Sequence, residues 1–189
     1  MIRIGILGDI GSGKSYVAKN FGYPVFNADE EVAKLYKKDK KIFKKLKKKL
    51  PNYFRYFPVN KKEVSQAILD NKINLKKIVT IVHLEIRKKL LIFLRKNKSK
   101  KFVILDIPLL LENKINNKHD ILIFVKTKKF EVLKRLKKRG NFNKKLMDKF
   151  RNIQLSLDYK KNKSQYVIKN DFTKRTVLKY IKDILNQIQ

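Results

Sequence analysis

The chain has 189 residues, with 49 Lys or Arg against 16 Asp or Glu, a formal net charge of +33 and no cysteine. That length suggests one domain with room for an inserted lobe, and a hydrophobic content of 43% is enough to bury a core. The composition excludes disulfides and thiolate metal sites, no apolar run is long enough to span a bilayer, and the opening MIRIGILGD lacks the build of a signal peptide, so a soluble, cytoplasmic protein is expected. Charge of this size usually points to a polyanionic partner. Here Lys far outnumbers Arg, is scattered over nearly every segment, and is accompanied by abundant Asn, Ile, Phe and Tyr, all residues of AT-rich codons. Compositional bias accounts for the excess better than a dedicated nucleic-acid surface. Small anionic substrates are the expected partners.

Residues 2–7, IRIGIL, are apolar almost throughout and read as a buried parallel strand. The glycine-rich stretch GDIGSGKS follows, and KSYVAKNF reads as a helix. Residues 24–29, PVFNAD, predict a second short strand ending in the carboxylate of Asp29. A strongly basic helical pattern runs over 30–49 and is broken at 50–58 by two prolines and four aromatics. Asn60 with Glu63 resembles a capping box and opens a helix to about residue 69. A longer helix is predicted over 75–95. Residues 101–108, KFVILDIP, make the best strand, apolar into Asp106 and stopped by Pro108; 120–127 are another. An amphipathic helix over 128–139 is expected to turn Phe130, Leu133 and Leu136 to one side. A basic connector and further helix cover 140–157, a last strand covers 164–171, and a helix closes the chain. Strands alternating with helices predict an α/β fold with a parallel sheet covered on both faces.

The pattern G-x-x-x-x-G-K-[ST] is met by Gly8, Gly13, Lys14 and Ser15. Glycines let backbone N–H groups converge on phosphate oxygens, and the following helix adds the positive end of its dipole. Lys14 is expected to reach the outer phosphates and the Ser15 hydroxyl to bind Mg²⁺. The motif alone leaves kinase, GTPase and ATPase open. Asp29 and Asp106, each at a predicted strand end, are the candidate carboxylates beside the loop. Asp29 could take the proton of an acceptor hydroxyl or could simply cap the next helix. Asp106 could hold Mg²⁺ through water or could be a turn residue.

Taken together, these segments resemble dephospho-coenzyme A kinases over nearly the whole chain. ILGDIGSGKSYVAKNF is similar to that family's P-loop start, FNADEEVAKLY to its D-A-D-x-x-A-R segment, and VILDIPLLLENK to its D-V-P-L-L-F-E-N segment. LKRLKKRGNFN, FRNIQLSLDYKKNKSQYVIKND and the closing helix resemble its lid, its R-I-x-x-Q…K motif and its A-D-Y-V-I-D-N ending. Asp9, Tyr16, Asn27, Lys34, Leu84 after His83, and Leu111 depart from the usual residues.

The resemblance implies a three-layer P-loop kinase fold within one domain, 1–189. Its core is about 1–29, 100–134 and 164–189, with a helical acceptor-binding lobe at about 30–95 and a helical lid at about 135–160. ATP is expected on Gly8, Gly11, Ser12, Gly13, Lys14, Ser15 and Tyr16, with Mg²⁺ at Ser15 and Asp106. The implied reaction moves the γ-phosphoryl group of ATP to the ribose 3′-hydroxyl of dephospho-coenzyme A, the last step of coenzyme A synthesis. Asp29 serves the acceptor, Lys14 neutralises charge, and Arg139, with Arg135, closes over the phosphates. His83, Gln154, Lys160 and Asn170 match motif positions without an assigned contact. A monomer or small homo-oligomer is expected. The alternatives are a related nucleoside or nucleotide kinase and a nucleic-acid-binding P-loop protein.

Overall fold

The structure is a computed structural model that describes residues 1–138 and 142–188. The chain divides into two compact units: residues 1–27, 94–142 and 154–189 form the first, and residues 28–93 with 143–153 form the second.

The first unit is built on five strands: β1 (Ile2–Gly8), β2 (Val25–Asn27), β3 (Phe102–Asp106), β4 (Ile121–Lys126) and β5 (Tyr166–Lys169). They form one sheet in the order β2-β3-β1-β4-β5, and every pairing is parallel. The strands are apolar on both faces because both faces are covered. On one face Ile4, Ile6, Ile104, Ile123, Val125 and Ile168 pack against Val17 and Ala18 of α1 (Lys14–Asn20) and against Val177, Ile181 and Ile184 of α9 (Lys174–Gln187). Each such Ile or Val side chain contributes about 1.5–3 kcal/mol when fully buried. On the other face α8 (Leu157–Asn162) lies against β1, and Leu110 presses so close to Gly5 that an added Cβ would sit 2.6 Å from its Cδ2. α6 (Lys129–Lys137) completes the described helices of this unit. Arg3 anchors the base of the sheet, donating to Asp120 Oδ2 at 2.9 Å and to the Ile115 carbonyl at 3.0 Å. Burial pushes the Asp120 carboxyl above its usual range despite the opposing pull of the Asn117 N–H and Arg3.

The second unit is helical: α2 (Ala28–Lys38), α3 (Lys40–Lys49), α4 (Lys61–Asp70), α5 (Lys72–Lys96) and α7 (Lys144–Arg151). α5 buries Ile78, Val82, Ile86 and Leu90, one residue per turn. α3 buries Ile42 and Leu46 and turns its lysines outward. Lys89 pairs with Glu31 and Lys45 with Glu85, tying α2 and α3 to α5.

The parallel α/β sheet follows the strand–helix alternation, and the Asn60–Glu63 capping box forms as expected. Four details differ. The helix expected within 140–157 is α7 alone, ending at Arg151, and α8 forms at Leu157–Asn162 where no helix was expected. The single helix expected over 30–49 is two, because the Asp39 side chain accepts from the N–H groups of Lys41 and Ile42 and so starts a new helix. In α6 the buried residues are Val132 and Leu136, while Phe130 is 70% exposed and Leu133 is also exposed. Of the three residues expected on one side, Leu136 is buried, and Val132 packs with it in place of Phe130 and Leu133. Finally, β2 ends at Asn27, so Asp29 lies in the first turn of α2 and not on a strand.

Candidate functional site

β1 delivers the chain to Gly8, and α1 begins at Lys14, leaving five residues to turn between them. Gly13, the N-cap of α1, has a φ of 91°, and its Cβ would lie 2.5 Å from Asn170 Nδ2. Only glycine fits there on both counts. At Gly8 a Cβ would meet both Ser12 Oγ and the Val125 carbonyl at 2.8 Å. The first turn of α1 carries no acidic residue and no side-chain cap, so no carboxylate of its own opposes the positive end of its dipole. Within the loop, Ser12 Oγ is buried without a hydrogen-bond partner. Lys14 folds back over the loop and donates to the carbonyls of Gly8 at 3.3 Å and Asp9 at 2.8 Å. Ser15 and Tyr16 are exposed on the first turn of α1. This is the arrangement that a polyphosphate needs: converging donors, a helix N-terminus and one ammonium.

The loop is braced from the far side of the sheet. Ser12 O accepts from Asn170 Nδ2 at 2.8 Å and from Thr127 Oγ1 at 3.3 Å. Asn170 is buried, and its Oδ1 accepts from Phe172 N–H at 2.9 Å. That turn puts Phe172 at a φ of 65°, unusual for an aromatic residue, and the Arg135 guanidinium stacks on its ring at 4.1 Å. The sequence motifs assign Asn170 no contact and single out neither Thr127 nor Phe172; the bonds of Asn170 and Thr127 to Ser12 span 158 and 115 residues, too far to be read from local pattern.

Asp106, at the exit of β3, is 4% exposed, and its Oδ2 accepts from Asn27 Nδ2 at 2.8 Å. Asp29 is exposed two residues beyond Asn27, among the acidic residues Asp29, Glu30 and Glu31 of the first turn of α2, where the helix dipole favours them. Among the described residues, no three His, Cys, Asp or Glu side chains cluster to hold a metal. The donors present are one strand-end carboxylate and the hydroxyl of a P-loop Ser. That set suits Mg²⁺, which takes most of its shell from water and substrate phosphates and does not need a protein cage.

In the second unit, Lys34 pairs with Glu31 Oε1 at 2.6 Å, and Glu31 Oε2 pairs with Lys89 at 3.2 Å. Burial would raise the Glu31 pKa, but the two ammonium partners outweigh it and hold the carboxyl below its usual range. His83 Nε2 is buried without a partner. Burial and then Arg87 push its pKa down, so the ring is neutral. Arg139 lies outside the described residues.

A sequence model of the family described as dephospho-CoA kinase matches residues 2–175. The chain belongs to the dephospho-CoA kinase family. The dephospho-CoA kinase of Wolbachia sp. subsp. Brugia malayi is 34% identical over 190 residues, covering 98% of this chain and 97% of the relative. That of Ehrlichia canis is 30% identical, covering 98% and 95%. Among solved structures, a Thermus thermophilus protein superimposes with a TM-score of 0.77 at 24% identity, covering 100% of this chain and 98% of its own. The Campylobacter jejuni dephospho-CoA kinase gives 0.64 at 20% identity, covering 98% and 96%. Membership of this family supports ATP-dependent phosphorylation of dephospho-CoA, and neither the nucleoside-kinase nor the nucleic-acid alternative is favoured. No described helix is long and apolar enough to cross a membrane.

Proposed function

We propose that this chain transfers the γ-phosphoryl group of ATP to the ribose 3′-hydroxyl of dephospho-CoA, with Mg²⁺ as the assisting ion. The P-loop carries the reading: a braced backbone cradle with its own ammonium, in a chain matched to the family over residues 2–175. Gly8, Gly11, Ser12, Gly13, Ser15 and Tyr16 receive the nucleotide. Lys14 leaves its carbonyl partners for the β- and γ-phosphates and offsets the charge on the transferred group. Ser15 and Asp106 are the groups that would hold Mg²⁺, which neutralises phosphate charge when bound. Asp29 accepts the proton of the attacking hydroxyl. Arg135 and Arg139 approach the phosphates from the lid segment, residues 135–160. Phosphoryl transfer asks little covalent chemistry of the protein, so positioning and charge carry the rate. Residues 30–95 take the acceptor. The surface lysines gather anionic substrates and need no nucleic-acid partner.

The deciding experiment offers the protein ATP with dephospho-CoA, adenosine, uridine and the nucleoside monophosphates in parallel. Dephospho-CoA is expected to give much the highest kcat/KM, with the product phosphorylated on the 3′-oxygen. Equal turnover of a nucleoside would overturn the assignment. Tight duplex binding that survives physiological salt would favour a nucleic-acid role.

A further inference from the structure

Three residues from two separate segments meet inside the first unit. Lys160, on α8, has only 1% of its side chain exposed, in a chain whose lysines otherwise face solvent or lie along its surface. Its Nζ donates to Glu112 Oε1 at 2.8 Å and to Gln154 Oε1 at 2.9 Å. Glu112 is itself 8% exposed, its Oε1 also accepts the Leu155 N–H at 3.0 Å, and its Oε2 is buried without a partner. Burying an ion pair is a poor route to stability, since the desolvation cost consumes most of the attraction. Such a pair is better understood by what it holds in place.

Glu112 lies six residues beyond Asp106, in the turns that leave β3. Those turns close on themselves through Asn113 N–H to Leu109 O and Ile115 N–H to Leu110 O. Several contacts hold them to the core, among them Leu110 against Gly5, the Ile115 carbonyl on Arg3, and Glu112 on Lys160. Gln154 and Leu155 are the first residues of this unit after α7, so the same tie fixes where the chain re-enters the core.

We propose that Glu112, Gln154 and Lys160 form a buried clasp that holds the 107–114 segment, and through it Asp106, in working position. They are positioning residues for phosphoryl transfer and touch neither substrate. The part of this that concerns Asp106 rests on the role assigned to it above.

The test replaces the charged pair by a neutral one of similar volume, Glu112→Gln with Lys160→Met. The new amide keeps an oxygen to accept from Leu155 N–H and neither variant residue buries a charge, so the double variant is expected to melt within a few degrees of wild type. Its kcat is expected to fall about tenfold or more, on the scale of a small misplacement of reacting groups, while KM for ATP holds. Amide hydrogen exchange over 107–114 is expected to quicken while the strands stay protected. Wild-type kcat together with wild-type exchange overturns the proposal. If the double variant does not fold, Gln154→Ala removes only the neutral arm and is read by the same two measurements, with the same overturning result. Asp106→Asn, assayed alongside, separates the two readings. If it retains full kcat, the role of Asp106 fails, while faster exchange in the clasp variant still reports what the clasp holds.

Discussion

Asn27 and Asp106 are register partners at the exits of two neighbouring parallel strands, and the amide of Asn27 donates to the carboxylate of Asp106 at 2.8 Å. An aspartate at position 27 would bring a second carboxylate to that distance, and one of the two would have its pKa raised. For Asn27→Asp in EDTA we expect a lower melting temperature than wild type at pH 7. The folded pair then binds a proton that the unfolded chain has released, so stability is regained as the pH falls, and the gap should narrow at pH 5. Melting curves at the two pH values test this; an unchanged gap would show that the carboxylates do not couple.

Lys14→Ala removes an ammonium that now rests on the carbonyls of Gly8 and Asp9. These contacts are local to the loop, so the fold should survive. The rate should fall roughly 10³-fold or more, as expected for loss of a phosphate-clamping charge. Steady-state kinetics beside a melting curve check both halves of the expectation.

Asp29→Asn separates proton acceptance from helix support. In the first turn of α2, the carboxylate contributes about 0.3–1 kcal/mol through the helix dipole. Loss of a proton acceptor should lower kcat by about 10², the low end for general base catalysis, because the loose transition state asks little of the base. A kcat within about threefold of wild type would leave Asp29 with an orienting role only.

Asn170→Ala deletes the side chain that supports the Ser12 carbonyl and accepts the Phe172 N–H. A buried polar pair broken from one side costs about 1–3 kcal/mol. Because the orphaned carbonyl belongs to the P-loop, KM for ATP should rise along with the loss in melting temperature. Calorimetric titration with a non-hydrolysable ATP analogue measures the effect without turnover.

The net charge of +33 creates a field that draws in anions. Raising ionic strength from about 0.01 to 0.15 M shortens the Debye length from about 30 to about 8 Å. We expect kcat/KM to fall and kcat to hold, since the field acts on encounter and not on chemistry. A salt-independent kcat/KM would mean that the lysines do not assist capture.

The P-loop was legible because everything it needs lies in one short stretch: a strand, three glycines, a lysine and a helix start. The sheet was legible because parallel strands buried on both faces are apolar runs. Asp39 was visible as an acid among lysines, but its capping bonds depend on backbone angles that composition does not set. The Asn170 brace was hidden by distance, since its partner is 158 residues away. Lys160 stands out in the sequence as a motif position but not as a buried charge. In a chain this rich in lysine, one buried ammonium has no compositional signature, and only the carboxylate of Glu112 reveals it.

The hold of Asn170 on Ser12 also orders events during synthesis. The glycine loop is synthesised before β5, at whose exit its Asn170 support lies. Until that strand docks, the Ser12 carbonyl has only the longer of its two side-chain contacts, from Thr127 Oγ1 at 3.3 Å. The loop gains its shorter support only when β5 completes the sheet, so a chain halted before β5 is expected to hold a nucleotide more weakly although it carries the entire motif.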